Sequence, residues 1–463
     1  MKAHAIMIAL PYQGHLNPFV DLATKLASKG ITVTFVNTEH AHHQIASSQE
    51  IPDAGLDIFA AAALDIRYAT ISDGFPLDFD RDLNFIEYWE SFLRDFPSRV
   101  AEFVGDIISS SDPSMPPFLV SDTFAAWPAM VAQKFGLVNV SFWTQPATEF
   151  AINYHLDLLK QNGHYPPTKD DEQMINYIPG VAPISTKDLM SHLQESDVTI
   201  VQEIVFKSFK EVVKADFILH NTVQEVEPHT LSVLNQKQAT YAIGPINFST
   251  KCSVPKSLRH QVDCSEWLEA RPHGSVLYVS FGSIAQTNRQ VIQEIAHGLV
   301  VSGVSFIWAI RPQIVMDDDG DVLPCGFEEN VKDRGLVLQW SDQLSVLSSP
   351  AVGGFLTHCG WNSILESVWC GVPMICYPIL YDQPTNRKLV VDDWKIGINL
   401  CDGESVGKEE VAEKINKVMS GEASDCIMKN LKEMRTKLHD AWKENGSSQI
   451  NFDRFLRDLN DKI

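Results

Sequence analysis

Several features that define common protein classes are missing from this chain of 463 residues. No apolar run approaches the roughly 20 residues of a membrane-spanning helix, so stable insertion into a bilayer is not expected. Basic residues are also few, since 37 Lys and Arg stand against 59 Asp and Glu, a formal net charge of −22. This excess of negative charge argues against nucleic acid or an anionic membrane as a partner. An anionic ligand must therefore be bound by local geometry rather than by a general positive field.

The eight cysteines form no Cys-x-x-Cys pair, and several lie in apolar contexts, such as Cys376 in VPMICYP. We therefore expect reduced, structural thiols in a reducing compartment. The first fifteen residues contain a short apolar run broken by Pro11 and Gly14, and they lack a small-residue cleavage site. They are predicted to form a first strand rather than a signal peptide, in a cytoplasmic protein.

What the chain does contain is a repeated alternation of buried strands and helices. AHAIMIAL is predicted to be a strand and YQGHLNP a turn; a helix then starts behind Pro18 and stops at Gly30, and ITVTFVNT is the next strand. This is one βαβ unit. Similar apolar strands recur later in the chain, at PFLVSD, VNVSFWT, ADFILHNT, VLYVSF, FIWAIR, LVLQW, VGGFLTH and VPMICYP.

The pattern predicts an α/β protein with two Rossmann-like parallel-sheet domains facing an interdomain cleft. Residues 1–246 form the first domain, a polar stretch at 247–260 is a linker, and residues 261–442 form the second. The amphipathic helix at about 443–463 is expected to pack back on the first domain. With 44% hydrophobic residues, each half can bury a substantial core.

The 44 residues from 340 to 383 are the most informative part of the chain. VGGFLTH is a predicted strand, and CGWNSILESVWCG is a turn that runs into a helix. A helix N-terminus presents unpaired N–H groups and a partial positive charge, which suits phosphate. Gly360 allows a close approach of the backbone, and His358, Asn362 and Ser363 can add side-chain donors.

Other residues of the same stretch suit the rest of a nucleotide sugar. Glu366 shares a helical face with Asn362 and Ser363, where a carboxylate can accept both hydroxyls of a ribose. Trp340 offers a flat face to a base, and Asp382 and Gln383 follow the strand VPMICYP and can bind a sugar. Taken singly, such a Trp, His or Glu is more often core, structural or solvated. Their joint spacing favours a ligand site.

This stretch closely resembles the C-terminal donor-binding box of plant secondary-product glycosyltransferases, the UDP-dependent family 1 enzymes with the GT-B fold. HCGWNS, the Glu366-Ser367 pair, the GVPM run and the closing DQ match without a gap, and so do GHLNP near the start and FGS at Phe281–Ser283. Ser341-Asp342 departs from the family, which commonly has Ala or Cys followed by Pro or Ser. We expect Asp342 to bring negative charge near the uracil edge.

The resemblance implies UDP-glucose as co-substrate, since in this family a closing Gln goes with glucose and a His leans to galactose. Trp340 would stack on uracil, Glu366 would bind the ribose, and Asp382 and Gln383 would bind glucose. The residues that the resemblance assigns to the donor are Ser283, Trp340, Ser341, Gln343, His358, Gly360, Trp361, Asn362, Ser363, Glu366, Asp382, Gln383 and, in the first domain, Thr144.

Two first-domain residues are predicted to carry the catalysis. His15 follows the first strand, and an imidazole with an ordinary pKa near 6.5 can act as a base at neutral pH. Asp122 ends PFLVSD, and a carboxylate on one ring nitrogen fixes the tautomer and stabilises the imidazolium. The resemblance assigns both residues to the family's catalytic pair. Without it, Asp122 is equally well explained as the N-cap of a following helix.

The expected reaction is one direct displacement that gives the β-glucoside of a small apolar phenolic, flavonoid or terpenoid, catalysed by a monomer. Phe85, Trp89, Phe124 and Phe142 are candidates for the acceptor pocket, although most such aromatic residues could be core. No metal cofactor is expected. The Asp-x-Asp motifs at 78–80 and 80–82, the acidic run at 317–321 and the histidines at 40, 42 and 43 are interpreted as polar loops.

Three other classes share part of the pattern. A nicotinamide dehydrogenase would need Gly-x-Gly-x-x-Gly after the first strand, where this chain has PYQGHLNP. A glycoside hydrolase would need two carboxylates about 5–9.5 Å apart, and here a His is paired with one Asp. A non-catalytic UDP-sugar binding protein would lack the base, whereas His15 and Asp122 are both present.

Overall fold

The computed structural model describes residues 2–167, 172–248, 254–315, 321–403, 405–420 and 424–463. The chain divides into two compact units. The first contains Met1–Thr186, His192–Arg259 and Asp440–Ile463, and the second contains Lys187–Ser191 and His260–His439. Residues 187–191 were predicted to belong to the first domain. The structure assigns them to the second unit, because they are held by contacts with residues almost 200 positions later in the chain.

The first unit is built on a seven-stranded parallel sheet with the strand order β3-β2-β1-β4-β5-β8-β9. A separate antiparallel pair joins β6 to β7. The strands are β1 (His4–Ile8), β2 (Thr32–Thr38), β3 (Ile66–Ile71), β4 (Pro117–Asp122), β5 (Val138–Trp143), β6 (Met174–Ile175), β7 (Ile184–Ser185), β8 (Phe217–His220) and β9 (Thr240–Ala242).

Helices connect these strands, as expected for parallel pairing. They are α1 (Gln13–Ser28), α2 (Glu39–Ser48), α3 (Phe85–Arg94), α4 (Phe96–Ser110), α5 (Pro128–Phe135), α6 (Ala147–Tyr154), α7 (Leu156–Gln161), α8 (Ser191–Gln194), α9 (Ile200–Val212) and α10 (Pro228–Asn235). Short 3-10 turns lie at Asp53–Gly55, Thr186–Asp188 and Ile246–Phe248.

The second unit has a six-stranded parallel sheet with the order β12-β11-β10-β13-β14-β15. Its strands are β10 (Val276–Ser280), β11 (Ser305–Ala309), β12 (Gly335–Leu338), β13 (Val352–Thr357), β14 (Met374–Cys376) and β15 (Gly397–Asn399). Its helices are α11 (Ser265–Glu269), α12 (Arg289–Ser302), α13 (Phe327–Val331), α14 (Gln343–Ser348), α15 (Trp361–Cys370), α16 (Gln383–Lys388), α17 (Lys408–Met419) and most of α18 (Ser424–Trp442), with a 3-10 turn at Pro312–Ile314 and a π-helical turn at Leu389–Asp393.

The last helix, α19 (Ser447–Asn460), belongs to the first unit. Its Phe452, Phe455 and Leu459 are fully buried in the core on one face of the first sheet. The ring of Phe455 lies 5.7 Å from those of Phe217 and Tyr241. Of the described helices, none combines the length and apolar character that crossing a membrane requires.

The start of α1 differs from the prediction. The helix begins at Gln13 and contains Pro18, whereas the sequence suggested a turn that ends before Pro18. Pro18, the sixth helical residue, cannot donate a backbone hydrogen bond to the Gly14 carbonyl, so packing of the buried residues from Pro18 onward maintains the helix there. His15 consequently lies in the first helical turn, with its backbone N–H donating to the carbonyl of Tyr12, the N-cap residue.

His220 gives the first unit a pH-sensitive core. It is fully buried at the end of β8, neither ring nitrogen has a hydrogen-bond partner, and Phe150 packs edge-on at 4.8 Å. Burial lowers the pKa of His220 to about 3. As the pH falls below about 6.5, His220 binds a proton in the unfolded chain but stays neutral in the folded chain, so the free energy of unfolding decreases.

We therefore expect His220→Leu to reduce the loss of stability between pH 6.5 and pH 4 by about 1.4 kcal/mol per pH unit. Urea unfolding at several pH values would measure the slope. The exposed His229 is a matched control, and His229→Leu should leave the change of unfolding free energy with pH as it is in the unmodified protein. An unchanged slope in the His220 variant would show that another group dominates the acid sensitivity.

Candidate active site

His15 and Asp122 form a hydrogen-bonded pair in the first unit. The His15 Nδ1 atom lies 2.7 Å from Asp122 Oδ2, although the residues are 107 positions apart. The side chains are 16% and 2% exposed, so the imidazole reaches the surface while the carboxylate is buried behind it. A carboxylate on Nδ1 places the proton on that nitrogen and leaves Nε2 as the atom that can accept one.

The loop after β4 orients the carboxylate. Asp122 Oδ1 accepts a hydrogen bond of 2.9 Å from the backbone N–H of Phe124, the geometry of an Asx-turn. Both carboxylate oxygens are thus engaged, one by this turn and one by His15. The alternative explanation of Asp122 as a helix N-cap does not hold, because α5 begins at Pro128 and its N-cap residue is Trp127.

Thr144 follows β5 and lies beside the pair in the first unit. Its hydroxyl is 3.3 Å from His15 Nδ1, and the side chain is buried. A contact of Thr144 with the donor stays a prediction. The ring of Phe124 packs edge-on against the imidazole at 5.6 Å, so the loop after β4 limits the movement of His15 on that side.

The aromatic residues proposed for the acceptor separate into two groups. Trp89 stacks on Tyr12 at 5.9 Å and donates its indole N–H to the Tyr12 hydroxyl, with Phe85 at 6.2 Å on the same helix face. Phe142 is instead fully buried and packs on Phe19 at 5.1 Å. The structure thus places Phe142 in the core, where its side chain faces α1. Tyr12 was missed, although it lies only three residues before His15.

The second unit contains the predicted phosphate turn between β13 and α15. Gly360 is the N-cap residue of α15 and has no side chain with which to cap the helix. The first turn of α15 contains no acidic residue. The first-turn N–H groups and the positive end of the helix dipole therefore face the turn without a competing carboxylate. Cys359 adopts a left-handed conformation with φ of 68°, which turns the chain sharply into the helix.

His358 lies under this turn, flanked by two glycines. A Cβ atom added to Gly282 or Gly360 would lie 2.4 Å or 2.5 Å from His358 Nε2, so side chains at either position would displace the ring. Burial, reinforced by the charge of Arg311, lowers the pKa of His358 to about 4. The imidazole is therefore neutral at physiological pH, and it can offer a phosphate a hydrogen bond but no positive charge.

Gly360→Ala should weaken UDP binding by about tenfold or more, because the new methyl group would overlap the His358 ring at the phosphate turn. Isothermal titration calorimetry with UDP would measure the change. Gly407 is a matched control, since it is the N-cap glycine of α17 and a Cβ there meets nothing within 4 Å. If Gly360→Ala and Gly407→Ala bound UDP equally, the turn would not be the phosphate site.

Gln343 connects the residues expected at the diphosphate and the ribose. Its Nε2 atom lies 2.9 Å from Ser363 Oγ and 2.7 Å from Glu366 Oε2. This bridge confirms that Ser363 and Glu366 share one face of α15. It also means that the Glu366 carboxylate is oriented by a neutral amide.

The residues around Trp340 have local roles that the sequence did not reveal. The Trp340 carbonyl accepts a hydrogen bond of 2.9 Å from Val262 N–H, and Ser341 Oγ lies 3.1 Å from the Tyr278 hydroxyl. Asp342, expected to bring charge to the uracil edge, is the N-cap of α14 and accepts a hydrogen bond of 3.2 Å from Ser345 N–H. Its carboxylate is thus partly neutralised by the helix end.

Arg311 is a second residue that sequence analysis missed. It is buried after β11, and its guanidinium donates to the carbonyls of Gly282 at 3.1 Å, of Gln313 at 2.7 Å and of Ala285. These bonds hold the loop that carries Ser283 and add a positive charge near His358. An arginine at the end of the predicted strand FIWAIR was the available signal, but nothing in the sequence indicated that it is buried.

Asp382 and Gln383 lie where β14 passes into α16. Asp382 Oδ2 accepts a hydrogen bond of 2.6 Å from Asn386 Nδ2, which also donates at 2.9 Å to the carbonyl of Cys359. Asn386 therefore ties the predicted sugar-binding pair to the phosphate turn, a role that its i, i+4 spacing from Asp382 could have suggested. Gln383 Oε1 accepts from the N–H groups of Ile379 and Leu380 at 2.9 and 2.8 Å, so its amide nitrogen is the end suited to meet a ligand.

The alternative metal motifs do not converge in the described part of the chain, which contains no group of three or more His, Cys, Asp or Glu placed to hold an ion. The histidines at 40, 42 and 43 lie on the helix α2 and not, as expected, in a polar loop. His42 bonds the Tyr68 hydroxyl and the Asp53 carbonyl, and His43 pairs with the Asp53 carboxylate at 2.8 Å. Asp80 accepts from the backbone of its own exposed loop. Residues 317–320 of the acidic run lie outside the described residues.

Comparisons with known proteins cover nearly the whole chain. A family model described as UDP-glucoronosyl and UDP-glucosyl transferase matches residues 187–437, and one described as Glycosyltransferase, N-terminal domain, matches residues 2–248. The chain is 52% identical over 471 residues to UDP-glycosyltransferase 86A1 of Arabidopsis thaliana, an alignment that covers 100% of this chain and 95% of that protein.

Two solved structures share the fold at 25% identity. UDP-glucose: anthocyanidin 3-O-glucosyltransferase in complex with UDP superposes with a TM-score of 0.84 and covers 100% of this chain and 99% of that chain. UGT2 of Phytolacca americana, complexed with UDP-2fluoro-glucose and pterostilbene, has a TM-score of 0.80 and covers 98% of both chains.

Proposed function

The chain belongs to the plant family 1 UDP-dependent glycosyltransferases, and we propose that it transfers glucose from UDP-glucose to a hydroxyl of a small apolar metabolite. The observation that carries this proposal is the 2.7 Å bond between His15 and Asp122. A protein that only bound a UDP-sugar would have no use for a surface imidazole oriented by a buried carboxylate. We therefore place catalysis ahead of simple binding.

Glucose is proposed as the sugar because of the Asp382-Gln383 pair. The Gln383 side chain has its oxygen fixed by two backbone donors, which leaves its amide nitrogen to donate to a sugar hydroxyl. Asp382 can accept from further hydroxyls, and Asn386 holds its orientation. Two similar proteins, a UDP-glucose-dependent glucosyltransferase and an enzyme crystallised with a fluorinated UDP-glucose, support the same donor.

The proposed reaction is a single displacement at the anomeric carbon. His15 Nε2 takes the proton of the acceptor hydroxyl while its oxygen bonds to that carbon, and the bond from the carbon to the phosphate oxygen breaks. Asp122 stabilises the imidazolium that forms. Attack from the face opposite the leaving UDP converts the α-linked donor into a β-glucoside.

The second unit would support departure of UDP. Negative charge grows on the phosphate oxygen as the bond breaks, and the amino end of α15 presents N–H groups and a partial positive charge to it. Neutral His358 would add a hydrogen bond, and Arg311 a nearby charge. These groups are already oriented by the contacts described above, so little reorganisation is needed during the reaction.

The acceptor is proposed to be phenolic, flavonoid or terpenoid, because the surroundings of His15 are aromatic. Phe124 packs edge-on against the imidazole, and the ring of Tyr12, just before His15 in the chain, stacks on that of Trp89. Such rings offer apolar area and ring-face contacts to a flat or fused-ring acceptor. Phe142 no longer belongs to this proposal.

A panel of phenolic, flavonoid and terpenoid alcohols, incubated with UDP-glucose, would test the function. Mass spectrometry would detect a glucosylated product, and nuclear magnetic resonance would assign its anomer. We expect β-glucosides and slower transfer from UDP-galactose and UDP-glucuronic acid. An α-linked product would exclude the single displacement, and preferred use of another donor would exclude the role given to Gln383.

A further inference from the structure

The segment Lys187–Ser191, here called the strap, is part of the second unit although it comes from the first half of the sequence. Leu189 and Met190 are buried, which anchors the strap by apolar contact. Ser191 and Asp188 of the strap bind residues 381–387, the loop that carries Asp382 and Gln383 and the helix that follows. These contacts indicate which part of the second unit the strap holds in place.

The backbone of Tyr381 has an unfavourable conformation that contacts from the strap can stabilise. It directly precedes Asp382 and has a φ of 58°, a left-handed conformation that is unfavourable for a large side chain. Ser191 meets both of its backbone polar groups: Ser191 N–H donates to the Tyr381 carbonyl at 2.9 Å, and Tyr381 N–H donates to Ser191 Oγ at 2.8 Å. One strap residue thus stabilises the strained backbone beside the sugar-binding pair.

Two further contacts hold the start of α16. Thr385 Oγ1 donates to the carbonyl of Asp188 at 2.7 Å in a fully buried position. The Asp188 carboxylate forms an ion pair with the Arg387 guanidinium, both side chains being at most 13% exposed, and Arg387 also binds Asp392 at 2.9 Å. Breaking a pair in such a site leaves an uncompensated buried charge, so the arrangement strongly favours one position of the helix.

We propose that the strap is a positioning element for sugar recognition, and that Ser191 and Asp188 set the placement of Asp382 and Gln383. The proposal rests on the donor role given above to this pair. The hydrogen bonds and the ion pair described above reach the backbone of Tyr381 and the helix α16 rather than the phosphate turn, Trp340 or Glu366. The strap should therefore influence recognition of the sugar much more than binding of the nucleotide.

The test compares UDP with UDP-glucose in Ser191→Ala, Asp188→Asn and the unmodified enzyme, by calorimetry and by steady-state kinetics. We expect the Kd for UDP to stay within about twofold and the KM for UDP-glucose to rise about tenfold, the effect of one or two weakened hydrogen bonds. Discrimination between UDP-glucose and UDP-galactose should decrease. Ser191→Thr keeps a hydroxyl at this position and should restore both values.

Ser196 supplies a matched control, since it is exposed five residues after Ser191, and Ser196→Ala should change neither constant. Hydrogen exchange of the Tyr381 amide reports the contact directly and should accelerate in Ser191→Ala. Equal weakening of UDP and UDP-glucose, or no change in either, would overturn the positioning role. Failure of the unmodified protein to bind UDP would overturn the donor site itself, a result distinct from intact UDP binding with an unchanged sugar preference.

Discussion

Replacing His15 by Ala should lower the rate of transfer to an alcohol acceptor by about 10²–10⁴-fold, the usual contribution of a general base. The Kd for UDP should not change, because no donor residue of the second unit is altered. Asp122→Asn should also impair transfer strongly, since an amide can direct its N–H toward His15 and favour the wrong tautomer. Product formation under saturating donor and calorimetry with UDP would separate the two effects.

The chain offers a matched control for this experiment. His43 and Asp53 form a second His–Asp pair in the first unit, at 2.8 Å, but both side chains are more than 40% exposed. His43→Ala and Asp53→Asn should therefore leave transfer intact. Normal turnover by His15→Ala would refute the assignment of the base, whereas equal losses in the two pairs would point to a general effect on the fold.

The second large effect is expected at Trp340. Stacking of a base on an aromatic side chain contributes about 1–3 kcal/mol, so Trp340→Ala should raise the Kd for UDP by about 5- to 150-fold. Trp340→Phe keeps an aromatic face and should recover part of the loss. Calorimetry would give both values, and the KM for UDP-glucose should follow the same order.

Trp369 provides the comparison for this variant. It lies on α15, in the same unit, and stacks on His439 at 3.9 Å, at the end of the helix remote from the phosphate turn. Trp369→Ala should lower stability and leave the Kd for UDP unchanged. If Trp340→Ala bound UDP as tightly as the unmodified protein, the base would have to lie elsewhere.

Elements that depend on local sequence were predicted well. The strand after Pro117, the strand VGGFLTH and the helix behind Gly360 are where the sequence placed them, because their apolar runs, glycines and turn residues act over a few positions. The start of α1 was the exception. Pro18 was interpreted as a boundary, but the helix continues through it, because packing of its buried residues outweighs the one backbone hydrogen bond that the proline cannot make.

Residues that act through distant partners could not be predicted. Arg311 and Asn386 belong to no sequence motif that predicts a site. Both donate hydrogen bonds to backbone carbonyls of loops that lie elsewhere in the sequence. The role of Ser191 depends on a contact with a residue 190 positions away. Phe142 and Trp89 have the same aromatic character in the sequence, and only the structure shows that both are buried, Phe142 against Phe19 of α1 and Trp89 against Tyr12.

The amino-acid sequence alone determined two sets of βαβ units and a turn at the amino end of a helix, and it predicted which residues bind phosphate, act as the base or bind the donor. These follow from spacing along the chain, which sets the side-chain period and the helix ends. Only the tertiary structure decided that His15 meets Asp122, that Phe142 turns inward and that the strap reaches Tyr381. Each of these depends on long-range packing, in which many weak contacts choose one arrangement from several that the local chain allows.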